Sequence, residues 1–259
     1  MRYYKGYIAV SDTCDVPVLL EIRNSRAICF DQLRDLLSHE MLAVLSRSLR
    51  WRVNRLEDAG LISRFSGHRH LGKPVFAITR EGLECLESRG HSLLSLPSDT
   101  EQILHPSQVS HALELVNIRL ALVKGGMLRS WKCELEITSR NLVRQNATAK
   151  DYDALAQIEV DGSTRSLGIE YEKSAKAAAR YRTICEVLDK DETADAVLYL
   201  TANDDILYVL AMELRATRKR IGFALSDSFR RLLLETRTLT NTSGSEIVPL
   251  RDLLVGVNS

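Results

Sequence analysis

Two acidic residues in this chain are spaced to share one face of a β-hairpin. The dipeptide Asp161-Gly162 separates two stretches that read as strands, Ala154 to Val160 and Ser166 to Tyr171. Asp-Gly is a strong signal for a two-residue turn with both central residues at positive φ. Such a turn sets Val160 opposite Ser163 and, counted outward, Asp153 opposite Glu170. Directly paired residues hold their Cβ atoms about 5 Å apart on one face. Two carboxylates placed there repel, so a cation or a basic group must offset them. The plain alternative to a working site is a set of salt bridges from Asp153 and Glu170 to Lys150, Lys176 or Arg180. The other face of the hairpin carries Ala154, Ala156, Ile158, Leu167 and Ile169, which suits a core.

A second group has the chemistry of base recognition. Leu45 to Ala59 reads as a helix. Taken at 100° per residue, Leu45, Leu49, Val53 and Leu56 fall on one side, and Arg47, Arg50, Trp51, Asn54 and Asp58 fall on the other. Arginine and asparagine suit guanine and adenine edges in a major groove. Arg52 lies on the apolar side and is expected to reach a phosphate or an acidic partner. Downstream, the loop from Gly67 to Pro74 contains Arg69, His70 and Lys73, whose cationic groups can reach phosphates. Between Val44 and Arg80 the basic residues are Arg47, Arg50, Arg52, Arg55, Arg64, Arg69, Lys73 and Arg80, against only Glu57 and Asp58. The whole chain has a formal net charge of +1, so this basic character is local.

These groups need elements to position them. Before residue 90 helices dominate: Val16 to Asn24, Asp31 to Ser38, the helix stopped by Gly60, and Arg80 to Ser88. A hairpin of Leu61 to Ser66 and Val75 to Thr79 precedes the last of these. From Gly90 to Pro106 no period is sustained, and the stretch reads as a linker. Beyond it come a helix from Val109 to Lys124, a strand from Trp131 to Ile137 carrying Glu134 and Glu136, and the acidic hairpin. A helix from Ser174 to Leu188, a strand from Ala196 to Thr201, a helix from Asp205 to Arg218, a strand from Ile221 to Leu225 and a helix from Ser228 to Thr236 complete the pattern. The order α-β-β-β-α-β-α-β predicts one mixed sheet flanked by helices. The fold class is therefore α+β, with one domain over residues 1–95 and an α/β domain with a mixed sheet over 96–259.

Composition narrows the class further. The five cysteines are far apart and form no CxxC pair, which points to free thiols rather than a zinc site. The N-terminus lacks the apolar stretch of a signal peptide, and no run approaches the ~20 apolar residues of a membrane span. A cytoplasmic protein without a membrane partner is expected.

The string RVNRLEDAGLISR followed by GKPVFAITREG resembles the winged helix-turn-helix of many bacterial regulators. That resemblance covers Val16 to Arg89 and implies duplex DNA binding through Arg47, Arg50, Trp51, Asn54, Arg55, Arg69, His70 and Lys73. A winged helix used only for protein contacts or dimerisation is the alternative. The acidic hairpin resembles the PD-(D/E)xK nuclease fold, in which a hairpin presents an aspartate, a second acid and a lysine two residues on. That resemblance implies Mg²⁺ held by Asp153 and Glu170. Here Glu172 stands at the lysine position, and Lys176 is expected to reach back from the first turn of the next helix. If the site is active, Asp153, Glu170, Glu172 and Lys176 are its catalytic residues; if not, no cofactor is needed. The winged helix taken together with HALELVNIRLAL, DYDAL and IEYEKSAKAAARY is similar to the replication-relaxation family of plasmids and other mobile elements. The resemblance implies a transcriptional regulator or a plasmid replication and mobilisation accessory factor, acting on duplex DNA as a homodimer. A relaxase or replication initiator is a further implied partner, and a Mg²⁺-dependent endonuclease is the alternative function.

Overall fold

The structure, a computed structural model, describes residues 8–40, 44–70, 72–94, 108–144, 150–241 and 246–256. Two compact units make up the chain, residues 1–120 and 121–259. The expected linker falls largely on residues 95–107, outside the described residues.

The first unit contains α1 (Asp15–Ser25), β1 (Ile28–Cys29), α2 (Phe30–Glu40), α3 (Val44–Asp58), β2 (Ile62–His70), β3 (Lys73–Ile78) and α4 (Arg80–Glu87). The helix α5 (Val109–Lys124) begins in this unit, and the boundary with the second unit falls inside it. The apolar side of α3 behaves as its period predicts: Leu49, Val53 and Leu56 are buried with Leu19, Ile22, Leu33 and Leu36 of α1 and α2. Gly60, at φ 76°, closes α3. Leu61 N–H donates to Leu56 O at 2.9 Å and Gly60 N–H to Glu57 O at 2.9 Å, so the last carbonyls of the helix are satisfied. A three-stranded sheet in the order β1-β3-β2 backs the helices, with Ile62 opposite Ile78 and His70 opposite Lys73. The two-residue β1 is too short for any alternation to reveal it in the sequence. The first turns of α5 add Val109, Ala112 and Leu113 to a cluster with Ala27 and Val75.

The second unit is a seven-stranded sheet in the order β10-β9-β8-β7-β6-β5-β4. Its strands are β4 (Leu128–Cys133), β5 (Ala154–Val160), β6 (Ser163–Glu172), β7 (Ala196–Thr201), β8 (Ile221–Leu225), β9 (Arg237–Thr240) and β10 (Ile247–Pro249). Its helices are α6 (Glu134–Arg144), α7 (Ala178–Leu188), α8 (Asp204–Glu213), α9 (Ser226–Leu232) and α10 (Leu250–Val255). The pairs β6–β7 and β7–β8 are parallel and the others antiparallel, so the sheet is mixed as expected. The order α5-β4-β5-β6-α7-β7-α8-β8 matches the sequence pattern, with α6 inserted between β4 and β5.

One sheet face buries Leu155, Val197, Tyr199, Ile221 and Phe223 against Tyr181, Ile184, Leu188, Leu207 and Leu210 of α7 and α8. The opposite face buries Ala154, Ala156, Ile158, Leu167, Ile169, Leu198 and Leu200. Alternation along β5 and β6 divides the two sets, as the hairpin requires.

Four local expectations are corrected. The strand expected over Trp131 to Ile137 stops at Cys133, and Glu134 and Glu136 lie in the first turn of α6. Glu136 Oε2 accepts from Cys133 N–H at 3.1 Å, half of a capping box, so the acids of an apparent alternation start a helix instead. The helix expected from Ser174 begins only at Ala178, which leaves Lys176 in the segment before α7. The helix expected from Asp205 to Arg218 ends at Glu213. The last expected helix is α9 followed by a 3-10 turn, Leu233–Glu235.

Candidate functional site

The hairpin of β5 and β6 turns as its Asp-Gly dictates, with Asp161 at φ 49° and Gly162 at φ 78°. Every pair from Val160↔Ser163 to Ala154↔Ile169 is in the expected register. Carried one residue further, that register sets Asp153, at the mouth of β5, level with Glu170. Asp153 turns one carboxylate oxygen onto the sheet, where Oδ2 accepts from Tyr171 N–H at 2.7 Å. Glu170 and Glu172 are only 6% and 8% exposed.

Each of the two glutamates meets a lysine. Lys150 Nζ forms an ion pair with Glu170 Oε1, and Lys176 Nζ with Glu172 Oε1. Lys176 reaches Glu172 from a loop and not from a helical turn. Burial, together with the Asp153 charge, pushes Glu170 up to about 7, against the pull of Lys150 and Lys176. Tyr199 lies level with Glu170 on the neighbouring parallel strand. Its hydroxyl is buried and has no hydrogen-bond partner among the described residues. Burial and the nearby Glu170 charge drive its ionisation far above the ordinary range, so it stays a neutral phenol.

A buried network props the hairpin from beside. Tyr152 lies flat over β6, where a Cβ at Gly168 would stand 2.7 Å from its ring, so only glycine fits. The Tyr152 hydroxyl donates to Asp191 Oδ2 at 2.9 Å. Asp191 also accepts from Thr193 Oγ1 at 2.7 Å and from Lys219 Nζ at 3.4 Å. Burial alone would raise the Asp191 carboxyl, but these hydrogen bonds and the Lys219 charge hold it below its ordinary value. Sequence reasoning names Lys150 as a salt-bridge partner and misses Tyr152, Asp191 and Tyr199, because nothing local marks a tyrosine that covers a glycine on the next strand.

The carboxylates to which the hairpin resemblance assigns a divalent ion already have partners in this arrangement. Asp153 is engaged by a backbone amide, Glu170 by Lys150 and Glu172 by Lys176. Among the described residues, no group of three or more His, Cys, Asp and Glu side chains is placed to hold a metal.

In the first unit, α3 turns Arg50, Trp51 and Asn54 to the exterior, with Trp51 54% exposed. The Arg50 guanidinium lies 4.9 Å from the centre of the Phe30 ring. Arg55 behaves differently from its neighbours. With Arg52 it converges on Asp15, whose side chain is fully buried: Arg52 Nη1 donates to Oδ1 at 3.0 Å and Arg55 Nη2 to Oδ2. Arg52 therefore finds the acidic partner its position calls for. Both guanidiniums also flank the Trp51 ring, at 4.8 Å for Arg55 and 5.8 Å for Arg52. Lys73 forms an ion pair with Asp31 of α2. The backbones of Arg69 and His70 pair with Pro74 and Lys73, whereas the side chains of Arg47, Arg69 and His70 fall outside the described residues. None of the five cysteines is in a disulfide.

A helical unit with a β-hairpin, joined to a mixed sheet whose β5–β6 hairpin carries Glu170 and Glu172 with Asp153 just before it, defines a two-unit α+β protein. The family model for replication-relaxation matches residues 19–197, and the chain belongs to the replication-relaxation family. No curated protein and no solved structure matches it. The family ties the chain to the replication and mobilisation of mobile genetic elements. No helix among the described residues is long and apolar enough to cross a membrane.

Proposed function

We propose that this protein binds duplex DNA in a sequence-specific manner, as a transcriptional regulator or as a replication and mobilisation accessory factor of a mobile element. In this reading the first unit is a winged helix-turn-helix, with α3 in the major groove and the β2–β3 hairpin as the wing. The observation that carries it is the two-sidedness of α3. Leu49, Val53 and Leu56 are buried, while Arg50, Trp51 and Asn54 are exposed on the opposite side with side chains suited to base edges. A homodimer on a two-fold site fits such a module, since paired half-sites raise specificity. A relaxase or replication initiator is the protein partner proposed beside DNA. The test is a selection of preferred duplexes from a random pool, followed by gel shifts on the selected site and on DNA upstream of the protein's own gene. Recovery of no preferred sequence, with equal retention of all duplexes, would sink sequence-specific recognition.

A second reading is a Mg²⁺-dependent endonuclease, favoured by the level placement of Asp153 and Glu170 on one hairpin. It requires Lys150 and Lys176 to leave the acids they pair with, and for that reason it ranks second.

A further inference from the structure

Beside the acidic hairpin, the second unit has a narrow recess lined by Lys132, Ile137, Arg140, Asn141, Lys150, Leu155 and Thr193. Three different pieces of chain supply its cations. Lys132 lies on β4 in register with Leu155, and paired residues share a sheet face, so its side chain is on the Leu155 face. Arg140 and Asn141 come from α6, and Lys150 from the segment before β5.

The carboxylates near the recess are all engaged. Asp151 accepts from Asn141 Nδ2 at 2.8 Å, Glu170 pairs with Lys150, and Asp191 is saturated by Tyr152, Thr193 and Lys219. Lys132 and Arg140 have no such partner: among the described residues neither makes an ion pair or a side-chain hydrogen bond, although both are half-buried. Two half-buried cations over an apolar floor of Ile137 and Leu155 are a poor arrangement on their own, because burial weakens hydration and no carboxylate replaces it. An anion would satisfy both.

The size of the recess limits how much of an anion can enter, and the DNA-binding reading points to which one. Its interior admits about one water-sized group. A purine, a sugar or a whole free nucleotide is too large to enter, whereas one non-bridging oxygen of a phosphodiester fits with the rest of the strand outside. The geometry points to a seat for a single backbone phosphate of a nucleic-acid strand, held by Lys132 and Arg140 at the mouth of this recess. The inference rests on the reading of the chain as a DNA-binding protein and adds a contact made by the second unit. Arginine supplies a planar pair of donors to a phosphate and lysine a point charge, so the pair suits one phosphate approached from two sides.

The test uses the full chain and a fluorescent duplex, with affinity measured by anisotropy over a series of salt concentrations. For Lys132→Gln with Arg140→Gln, the slope of log affinity on log salt should fall by about one unit, the value for one lost phosphate contact. Each single variant should show most of that loss, because both cations serve one phosphate. Unfolding midpoints should not fall below the wild type, since among the described residues neither side chain has a partner to lose; should the double variant fold poorly, Lys132→Gln alone and the charge-keeping Arg140→Lys read the same site. A wild-type slope in the double variant, with wild-type protein binding tightly, would overturn the seat and leave the DNA-binding reading standing. Wild-type protein that binds no duplex would overturn both. Inorganic phosphate that binds the wild type and not the variant, with the duplex slope unchanged, would make the recess a free-anion site and also overturn the assignment.

Discussion

Arg52 Nη1 donates to Asp15 Oδ1 at 3.0 Å, and that contact ties the N-terminal end of α1 to the middle of α3. Arg55 takes the other carboxylate oxygen, so one buried acid holds two arginines of the helix proposed to read DNA. The consequence is a division of labour along α3. Arg52 and Arg55 set the helix in place, and Arg50 and Asn54 remain directed outward.

Asp15→Ala should destabilise the first unit strongly, by about 3–5 kcal/mol, because it leaves two half-buried guanidiniums without their acid. Burial would raise the Asp15 carboxyl, but hydrogen bonds from Ser11 N–H, Arg55 and Arg52 outweigh it and hold it below the ordinary 3.8. With the folded value depressed, this contribution is fully present above 3.8 and is lost as pH falls through the folded value. Urea unfolding of wild type and variant at neutral and acidic pH reads both effects; curves that differ equally at every pH would refute the linkage.

Arg50→Ala and Asn54→Ala should each cost about 1–3 kcal/mol of binding on a selected duplex, with less effect on unrelated sequences. Arg55→Ala should instead show itself in the unfolding curve, because Arg55 is engaged with Asp15. Competition gel shifts against unrelated DNA separate the two kinds of effect. Equal losses on specific and unrelated duplexes for Arg50→Ala would remove it from base recognition.

Glu170 supplies a pH signature of opposite sign. Its folded value, about 7, lies above its ordinary 4.5, so the folded state binds the extra proton between those limits. Stability attached to this group therefore declines as pH rises from about 4.5 to about 7 and is level above that. Glu170→Gln should lack this decline, and the wild type should lose ground to the variant on going from pH 5 to pH 8. A stability difference that does not change over that range would place the Glu170 proton elsewhere.

Gly168→Ala should destabilise the second unit by about 1–3 kcal/mol, the usual cost of forcing an extra methyl into a packed core. Its Cβ would stand 2.7 Å from the Tyr152 ring, and moving that ring strains the hydroxyl contact to Asp191. A thermal melt unchanged from wild type would mean that Tyr152 has room the packing does not provide.

Plasmid nicking in Mg²⁺ or Mn²⁺ should be weak or absent, because Lys150 and Lys176 engage the glutamates a metal would need. Robust nicking that disappears in both Asp153→Ala and Glu170→Ala would promote the endonuclease reading over the binding one.

What the sequence determined by itself is what depends on neighbours along the chain. Asp161-Gly162 dictated a turn, and the period of two carried the hairpin register from that turn out to Asp153 and Glu170. The 3.6-residue period of α3 sorted Leu49, Val53 and Leu56 from Arg50, Trp51 and Asn54, and Gly60 marked the helix end. The limits Ala196–Thr201 and Ile221–Leu225 follow in the same way from unbroken apolar runs.

Tertiary structure decided which of the possible partners meet. Asp15 and Arg55 are forty positions apart, Lys150 and Glu170 twenty, and Tyr152 and Asp191 thirty-nine, so no local period relates them. The same holds for Lys132 and Arg140, which share a recess only because α6 begins where an alternating strand appeared to continue. Local propensity sets the elements; which side chains are neutralised, and which are left to seek a partner, depends on contacts formed only when distant segments pack.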